Sequence, residues 1–187
     1  MSQLASPAQL RGALLRAVLV AVPLIILLGT ISGRVAGSAE SNPWFQALVK
    51  PDIYPPGYVF GIAWTILYAM MGIAVAMIWS ARGATMRWPA LLLFVVQLAA
   101  NLAWSPLFFR AQRIEDAFWL LVGIGVAALL TTIAFFTVRR LAALLMLPYL
   151  AWLGFAGVLN WRIHELNLDG GPAIAVASVE LALPSQE

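Results

Sequence analysis

The chain has 187 residues, of which 63% are hydrophobic and 10% are charged, and its mean hydropathy is +0.91. Soluble domains are about one quarter charged, so this composition excludes an ordinary soluble domain and indicates a protein embedded in a bilayer. The net charge of +3 comes from basic residues scattered singly rather than clustered, which argues against a nucleic-acid partner, and the lack of cysteine excludes disulfides and cysteine nucleophiles.

Runs of about 18 or more mostly apolar residues predict five membrane-spanning helices. They cover residues 14–31, 58–79, 89–109, 117–138 and 141–161. The predicted fold class is therefore an all-α membrane protein, with a five-helix bundle inside residues 14–166. Residues 1–13 are predicted to be an N-terminal tail, and residues 167–187 a poorly ordered C-terminal tail.

The first apolar segment has a second interpretation, a cleaved secretory signal peptide. Arg11 and Arg16 precede the apolar core, and the small residues that a signal peptidase requires follow it at positions 37–39. The apolar stretch nevertheless reaches membrane-spanning length, which favours a helix of the bundle. Sequencing the N-terminus of the mature protein would distinguish the two interpretations.

The connection between the first two helices, residues 33–57, is unusually long and is called the first loop. Trp44, Phe45 and Leu48 form an apolar patch with helical spacing, and Pro43 can start a short helix. The functional interpretation is a lid folded over the mouth of the bundle. The alternative is an aromatic anchor at the membrane interface.

Two amides lie one helical turn apart in the third predicted helix, Gln97 and Asn101, and Trp104 follows on the same face. An unpaired amide in hydrocarbon costs several kcal/mol, so both must face protein or a ligand. The amide of Asn101 can donate and accept, which favours contact with a ligand carbonyl or ring nitrogen over an interhelical hydrogen bond. For Gln97 and for Asn160 in the fifth helix, the interhelical bond is favoured.

The last two helices are separated only by Arg139 and Arg140 in an apolar run from residue 117 to residue 161. One continuous helix of that length would extend about 67 Å, more than twice the ~30 Å hydrocarbon core. A tight turn at the two arginines is therefore predicted.

The five spans place basic residues unequally on the two sides of the membrane. The side with the N-terminus carries six arginines and no acid, and the other side carries five basic residues and all eight acids. Because orientation follows the basic residues near the helix ends, this bias favours a cytoplasmic N-terminus. The sequence does not identify the membrane.

Three motifs occur in order along the chain. The first comprises K-P at 50–51, P-P at 55–56, V-F-G at 59–61 and W-T-x-x-Y at 64–68. The second is Q-L-x-x-N-x-x-W-S-P-L-F-F at 97–109, and the third is P-Y-L-x-W-x-x-F-A-x-x-L-N at 148–160. Together they resemble the translocator protein family, also called tryptophan-rich sensory protein, TspO/MBR or peripheral benzodiazepine receptor. Tyr58 and Arg110 depart from the family, which often has tryptophan and glycine there.

The resemblance implies a compact five-helix bundle, commonly a homodimer, with a ligand cavity that opens toward the first loop. The implied ligands are porphyrins such as protoporphyrin IX and haem, sterols in animal members, and benzodiazepine-type drugs. The expected ligand-binding residues are Pro55, Phe60, Trp64, Tyr68, Asn101, Trp104, Trp152 and Ala156. For each aromatic residue the alternative role is helix packing.

The function expected first is a membrane receptor or binding protein for tetrapyrroles, with a regulatory or stress-related role and no required cofactor. The alternative is a light-dependent porphyrin-degrading enzyme, with Trp64 and Trp152 as electron donors. The membrane segments contain no acid-base pair, nucleophile or metal cluster, and His164 is the only histidine, so binding is favoured over catalysis and no metal site is expected.

Two further expectations rest on weaker patterns. A transporter of porphyrin or sterol is the least supported function, because five helices do not divide into repeated halves and the spans contain no acid. Residues 159–162 also lack the tyrosine of the proposed sterol motif.

Ala99 and Ala103 have the spacing of a helix-packing seam and are the candidate surface for the homodimer.

Overall fold

The structure, a computed structural model, describes residues 6–38 and 42–168. Its helices are α1 (Pro7–Ala36), α2 (Pro43–Ala47), α3 (Gly57–Trp79), α4 (Arg87–Ser105), α5 (Ile114–Val138) and α6 (Arg140–Leu166), and a π-helix, Pro106–Arg110, continues α4. Within these residues, the five long helices are apolar enough to cross a membrane. The prediction of an all-α membrane protein with five spans is confirmed.

The first helix starts seven residues before its predicted start, at Pro7, because a capping box fixes its N-terminus. The Gln9 backbone N–H donates to Ser6 Oγ over 3.3 Å, and the Ser6 N–H donates to Gln9 Oε1 over 2.9 Å. About half of the predicted N-terminal tail is therefore helical. Residues 1–5 and 169–187, the rest of the two predicted tails, lie outside the described residues.

The bundle is apolar on its outer surface as well as in its core. Val20, Leu92 and Leu141 are each about two-thirds exposed, at 66%, 65% and 65%. Such a surface is unfavourable in water but suits contact with lipid chains. Inside, Met71 and Tyr149 are fully buried. The molecule is thus built for a hydrocarbon solvent.

The turn between α5 and α6 is as tight as the two arginines predicted. α5 ends at Val138, Arg139 alone adopts an extended conformation with φ −150° and ψ 110°, and α6 begins at Arg140. This single residue is enough to reverse the chain, and the two helices pack against each other along their length.

The third span covers the predicted residues 89–109, but Pro106 ends its α-helical part. Proline has no N–H, so the Leu102 carbonyl, which such a group would bond in an α-helix, is left free. The Ser32 hydroxyl of α1 donates to that carbonyl over 2.6 Å. Beyond Pro106 the chain widens into the π-helix, in which the Ala111 N–H donates to the Pro106 carbonyl over 2.9 Å.

Helices α1 and α3 approach each other closely at two glycines. A Cβ added to Gly72 would lie 2.7 Å from the Val22 backbone Cα, and a Cβ added to Gly29 would lie 2.1 Å from the Tyr68 ring. Neither position accepts a side chain without movement of the neighbouring helix or ring. These contacts bring α1 into the bundle and set its distance from α3.

We expect Gly72→Ala to destabilise the protein by about 1–3 kcal/mol, because the added methyl group meets main chain that cannot rotate away. Gly125→Ala on α5 is the matched control, since its Cβ would meet nothing within 4 Å. The control should be neutral or stabilise slightly through helix propensity. Thermal unfolding of both variants in detergent measures the difference, and equal transition temperatures would contradict the close contact.

Candidate functional site

A cavity of about 410 Å³ lies inside the bundle and extends from its middle to the first loop. Its walls come from α1, α3, α4 and α6, with one residue from α5. Seven of the eight predicted site residues line it: Phe60, Trp64, Tyr68, Asn101, Trp104, Trp152 and Ala156. Side chains that are separated by up to 96 positions in the sequence therefore converge on one space, and their contact with a ligand stays a prediction.

The lining differs from the prediction in two respects. Pro55 does not line the cavity, whereas its neighbour Tyr54 does. The first helix contributes Ile26, Gly29 and Thr30, which the sequence analysis did not identify. Gly29 and Gly33 have the small-xxx-small spacing of a close helix contact, and this was the available signal.

Four polar side chains form a continuous hydrogen-bond chain at the inner end of the cavity. The Tyr68 hydroxyl donates to Asn101 Oδ1 over 3.0 Å, and Asn101 Nδ2 donates to the Tyr149 hydroxyl over 3.1 Å. The Tyr149 hydroxyl in turn donates to Gln97 Oε1 over 3.0 Å. This chain connects α3, α4 and α6 and satisfies most of the polar atoms that the membrane interior would otherwise penalise.

Asn101 makes interhelical hydrogen bonds, the alternative role in the sequence analysis, and its contact with a ligand stays a prediction. Its amide joins α3 to α6 through the two tyrosines, and it also borders the cavity. An amide has two N–H groups and two oxygen lone pairs, so one donor and one acceptor position are left after these bonds. Gln97 is fully buried outside the lining and accepts from Tyr149, so it joins helices as expected. Asn160 also joins helices, through its 2.8 Å bond to the Ile114 carbonyl, but it lines the cavity as well, and its buried Oδ1 has no partner among the described residues.

Aromatic rings supply the flat walls of the cavity. The Trp64 ring lies 5.1 Å from the Tyr68 ring, and the Phe60 ring meets Trp152 edge to face at 5.7 Å. Trp104 stacks on Phe108 at 5.0 Å, and its indole N–H donates to the Ala117 carbonyl over 3.0 Å. The Trp104 ring is thereby fixed in orientation, as a wall that contacts a ligand must be.

The indole N–H of Trp152 differs from that of Trp104. It is buried and has no hydrogen-bond partner among the described residues. A buried donor without a partner is costly, and a polar ligand atom or a water molecule would remove that cost. Together with the free positions on Asn101 and the unpartnered Oδ1 of Asn160, it gives the mostly apolar cavity a small number of hydrogen-bonding points.

The first loop covers the outer end of the cavity. The short helix α2 buries Trp44 and Phe45, and these rings pack on Phe108 at 5.7 and 6.1 Å. Phe45 and Tyr54 also line the cavity. The loop therefore has the position of a lid, built from a second apolar cluster that is separate from the main core.

An asparagine at the end of α6 fastens this loop. Asn167 Oδ1 accepts from the Val49 N–H over 3.0 Å, and Asn167 Nδ2 donates to the Val49 carbonyl over 2.9 Å. Lys50 adds a bond from its ammonium group to the Phe45 carbonyl over 2.7 Å and lies over the Phe45 ring. The side-chain amide of Asn167 thus satisfies both backbone hydrogen-bonding groups of Val49.

The chemistry available in the cavity is stacking and neutral hydrogen bonding. Its lining contains no aspartate, glutamate, histidine, lysine or arginine. In the described part of the chain, no three histidine, aspartate or glutamate side chains lie close enough to hold a metal ion. The arrangement suits a flat, mostly apolar ligand with a few polar atoms at its edge.

We expect Asn167→Ala to loosen the first loop, because the Val49 N–H and carbonyl both lose their partner. Hydrogen exchange should become about tenfold faster at the amides of residues 44–50 and stay unchanged in α5. The exposed neighbour Leu168 supplies the control variant Leu168→Ala. Unchanged exchange in the loop would show that Asn167 does not hold it.

Comparison with known proteins agrees with this geometry. The TspO/MBR family matches residues 20–166. The chain is 38% identical to the human translocator protein over 142 residues, which cover 75% of this chain and 84% of that protein. It is 34% identical to the tryptophan-rich protein TspO of Archaeoglobus fulgidus over 149 residues, 80% of this chain and 96% of that protein. The chain belongs to the TspO/MBR family.

Proposed function

We propose that this integral membrane protein is a receptor or binding protein for tetrapyrroles such as protoporphyrin IX or haem. The observation that carries the proposal is the cavity itself, in which Trp64, Trp104 and Trp152 surround an uncharged space with the Asn101 amide at its inner end. Indole rings stack on planar conjugated systems, and a few amide and N–H groups fix the orientation of the ring edge. The ligand is bound rather than required as a cofactor.

The names of relatives support a regulatory role. A protein of Cereibacter sphaeroides that is 35% identical over 128 residues, 68% of this chain, is named a tryptophan-rich sensory protein. A sensory role requires that ligand occupancy change a surface that other molecules recognise. The first loop is suited to this, because its Phe45 and Tyr54 line the cavity while Val49 is exposed. Occupancy would therefore be reported at the surface through the first loop.

Light-dependent degradation of a bound porphyrin is the second candidate. Trp64 and Trp152 line the same cavity, so both indoles would lie beside an excited ring and could donate an electron to it. The cavity offers no general acid or base other than tyrosine hydroxyls, which leaves binding as the first candidate. Transport of porphyrin or sterol remains the third.

A homodimer and a cytoplasmic N-terminus belong to the same proposal. Ala99 and Ala103 are exposed on α4, beside Val95 and Val96, so the small residues of the proposed seam are accessible to a second copy. Close backbone approach at small residues is a common route to helix association in membranes. The arginine distribution, six basic residues against five, favours the cytoplasmic side for the N-terminus.

Substitutions in the cavity should weaken porphyrin binding without unfolding the helices. We expect Trp64→Phe and Asn101→Ala each to raise the dissociation constant about fivefold or more, because one loses stacking area and the other loses a polar contact with the ligand. Titration of the purified protein with protoporphyrin IX in detergent, followed by tryptophan fluorescence, measures both effects.

Tyr149→Phe separates ligand contact from structural support. Tyr149 is fully buried and does not line the cavity, but its hydroxyl holds the same hydrogen-bond chain as Asn101. It should lower stability as Asn101→Ala does, yet leave the dissociation constant within about twofold. Equal loss of affinity in Tyr149→Phe and Asn101→Ala would mean that Asn101 acts through the helix packing. Unchanged affinity in both cavity variants would remove the site.

Illumination distinguishes the two leading functions. If the protein degrades porphyrin, light should bleach the absorption spectrum of the bound complex, and Trp64→Phe or Trp152→Phe should slow the bleaching because an electron donor beside the ring is lost. The rates are compared at equal occupancy, so that weaker binding does not imitate slower chemistry. A spectrum as photostable as that of porphyrin in detergent micelles would leave binding alone.

A further inference from the structure

One end of the bundle has a basic surface with no neutralising acid among the described residues. It is called the arginine face and carries Arg11, Arg16, Arg82, Arg87, Arg139 and Arg140. The acids of the described chain, Asp52, Glu115, Asp116 and Glu165, all lie at the other end. Both ion pairs, Arg113 with Asp116 and Arg162 with Glu165, are also at that other end. Within residues 6–38 and 42–168, the arginine face therefore has no counter-charge from the protein.

Arg87 is held differently from the other arginines of this face. Its guanidinium carbon lies 4.9 Å from the Trp79 ring centre and 4.8 Å from the Trp88 ring centre. The two rings are nearly perpendicular, with an interplanar angle of 85° and centroids 6.0 Å apart. The end of α3 and the first turn of α4 thus form an aromatic clamp on a cation.

The hydrogen-bonding capacity of this cation is unused. Arg87 Nε is buried without a hydrogen-bond partner, and no hydrogen bond or ion pair joins the guanidinium to the described residues. The Ser80 hydroxyl, at the other end of the same α3–α4 connection, is also buried without a partner. Because Nε is buried, the two terminal nitrogens are the ones available, and a fixed, planar guanidinium can bind an oxyanion through them in a bidentate manner.

We propose that the Arg87 guanidinium, clamped by Trp79 and Trp88, binds the phosphate of an anionic phospholipid. A phosphate diester accepts two parallel hydrogen bonds from a guanidinium, whether it belongs to a lipid or to a soluble molecule. The indole rings of Trp79 and Trp88 favour a lipid over a soluble molecule as the source of the phosphate. Trp79 and Trp88 are 52% and 64% exposed at the ends of membrane-spanning helices, where their rings contact the glycerol and upper acyl region of a lipid, and a soluble phosphate gains nothing from them.

The other arginines select the charge of the lipid headgroup. They place several positive charges within reach of the membrane surface, so a headgroup with net negative charge is attracted, whereas the zwitterionic headgroup of phosphatidylcholine gains no net attraction. The clamp thereby differs from a diffuse basic surface, which attracts anionic lipids without a fixed binding position. This inference is independent of what occupies the internal cavity.

Native mass spectrometry of the full chain in detergent tests the inference, with phosphatidylglycerol and phosphatidylcholine as the two probes. The wild type should bind the first phosphatidylglycerol about tenfold more tightly than phosphatidylcholine. Arg87→Gln should weaken the binding of both lipids about tenfold, because both carry the phosphate diester, and Arg87→Lys, which keeps the charge without the planar fork, should weaken it less. Arg82→Gln, which deletes the same charge outside the clamp, should leave the affinity for phosphatidylcholine unchanged and lower the affinity for phosphatidylglycerol about twofold at most.

Circular dichroism establishes whether each variant is folded. If Arg87→Gln does not fold, Trp79→Leu replaces it in the test, because it removes one of the two rings that hold the guanidinium. Competition with soluble glycerol 1-phosphate distinguishes the phosphate source, since it should not displace the lipid at millimolar concentration. Equal losses in Arg82→Gln and Arg87→Gln would overturn the clamp in favour of a diffuse basic surface. Displacement by glycerol 1-phosphate would overturn the lipid assignment.

Discussion

The constraint on which this structure depends is that amides and hydroxyls inside the membrane must find partners within the protein. Water is absent from the hydrocarbon region, so each unsatisfied group costs several kcal/mol. The chain from Tyr68 through Asn101 and Tyr149 to Gln97 pairs most of its polar atoms across three helices, although Gln97 Nε2 is buried without a partner among the described residues. Because a hydrogen bond tolerates only small errors in distance and angle, the same chain sets how α3, α4 and α6 are placed.

The cavity follows from this arrangement. Helices that are joined by large aromatic side chains and held apart by a polar cluster do not collapse completely, and the remaining space is lined by the rings themselves. Pro106 widens the same region, because it ends the regular part of α4 just after Trp104. α1 then closes the side, with its Ser32 hydroxyl on the carbonyl that Pro106 leaves free and with Gly29 against Tyr68. The arrangement that joins the helices is thus also the reason why a cavity is left between them.

The sequence predicted the spans from local rules, and its resemblance to the family indicated seven of the residues that line the cavity. Membrane length fixes the apolar runs, and the helical period of 3.6 residues puts Phe60, Trp64 and Tyr68 on one face. The sequence could not predict contacts between residues that are close in space but far apart in the chain. The hydrogen bond from Ser32 to Leu102 joins residues 70 positions apart, and the hydrogen bonds between Asn167 and Val49 join residues 118 positions apart. Neither pair has a spacing or a composition that indicates the partner.

The part played by α1 shows why such contacts matter for function. From its composition, α1 resembles any membrane anchor, and its alternative interpretation was a signal peptide. In the structure, the side chain of Tyr68 reaches Asn101 while its ring lies against the bare backbone of Gly29, where a methyl group would displace it. A glycine on one helix therefore determines the position of a hydroxyl on a second and, through it, the amide on a third. The hydrogen-bonding groups that face the cavity are positioned by a residue that has no side chain.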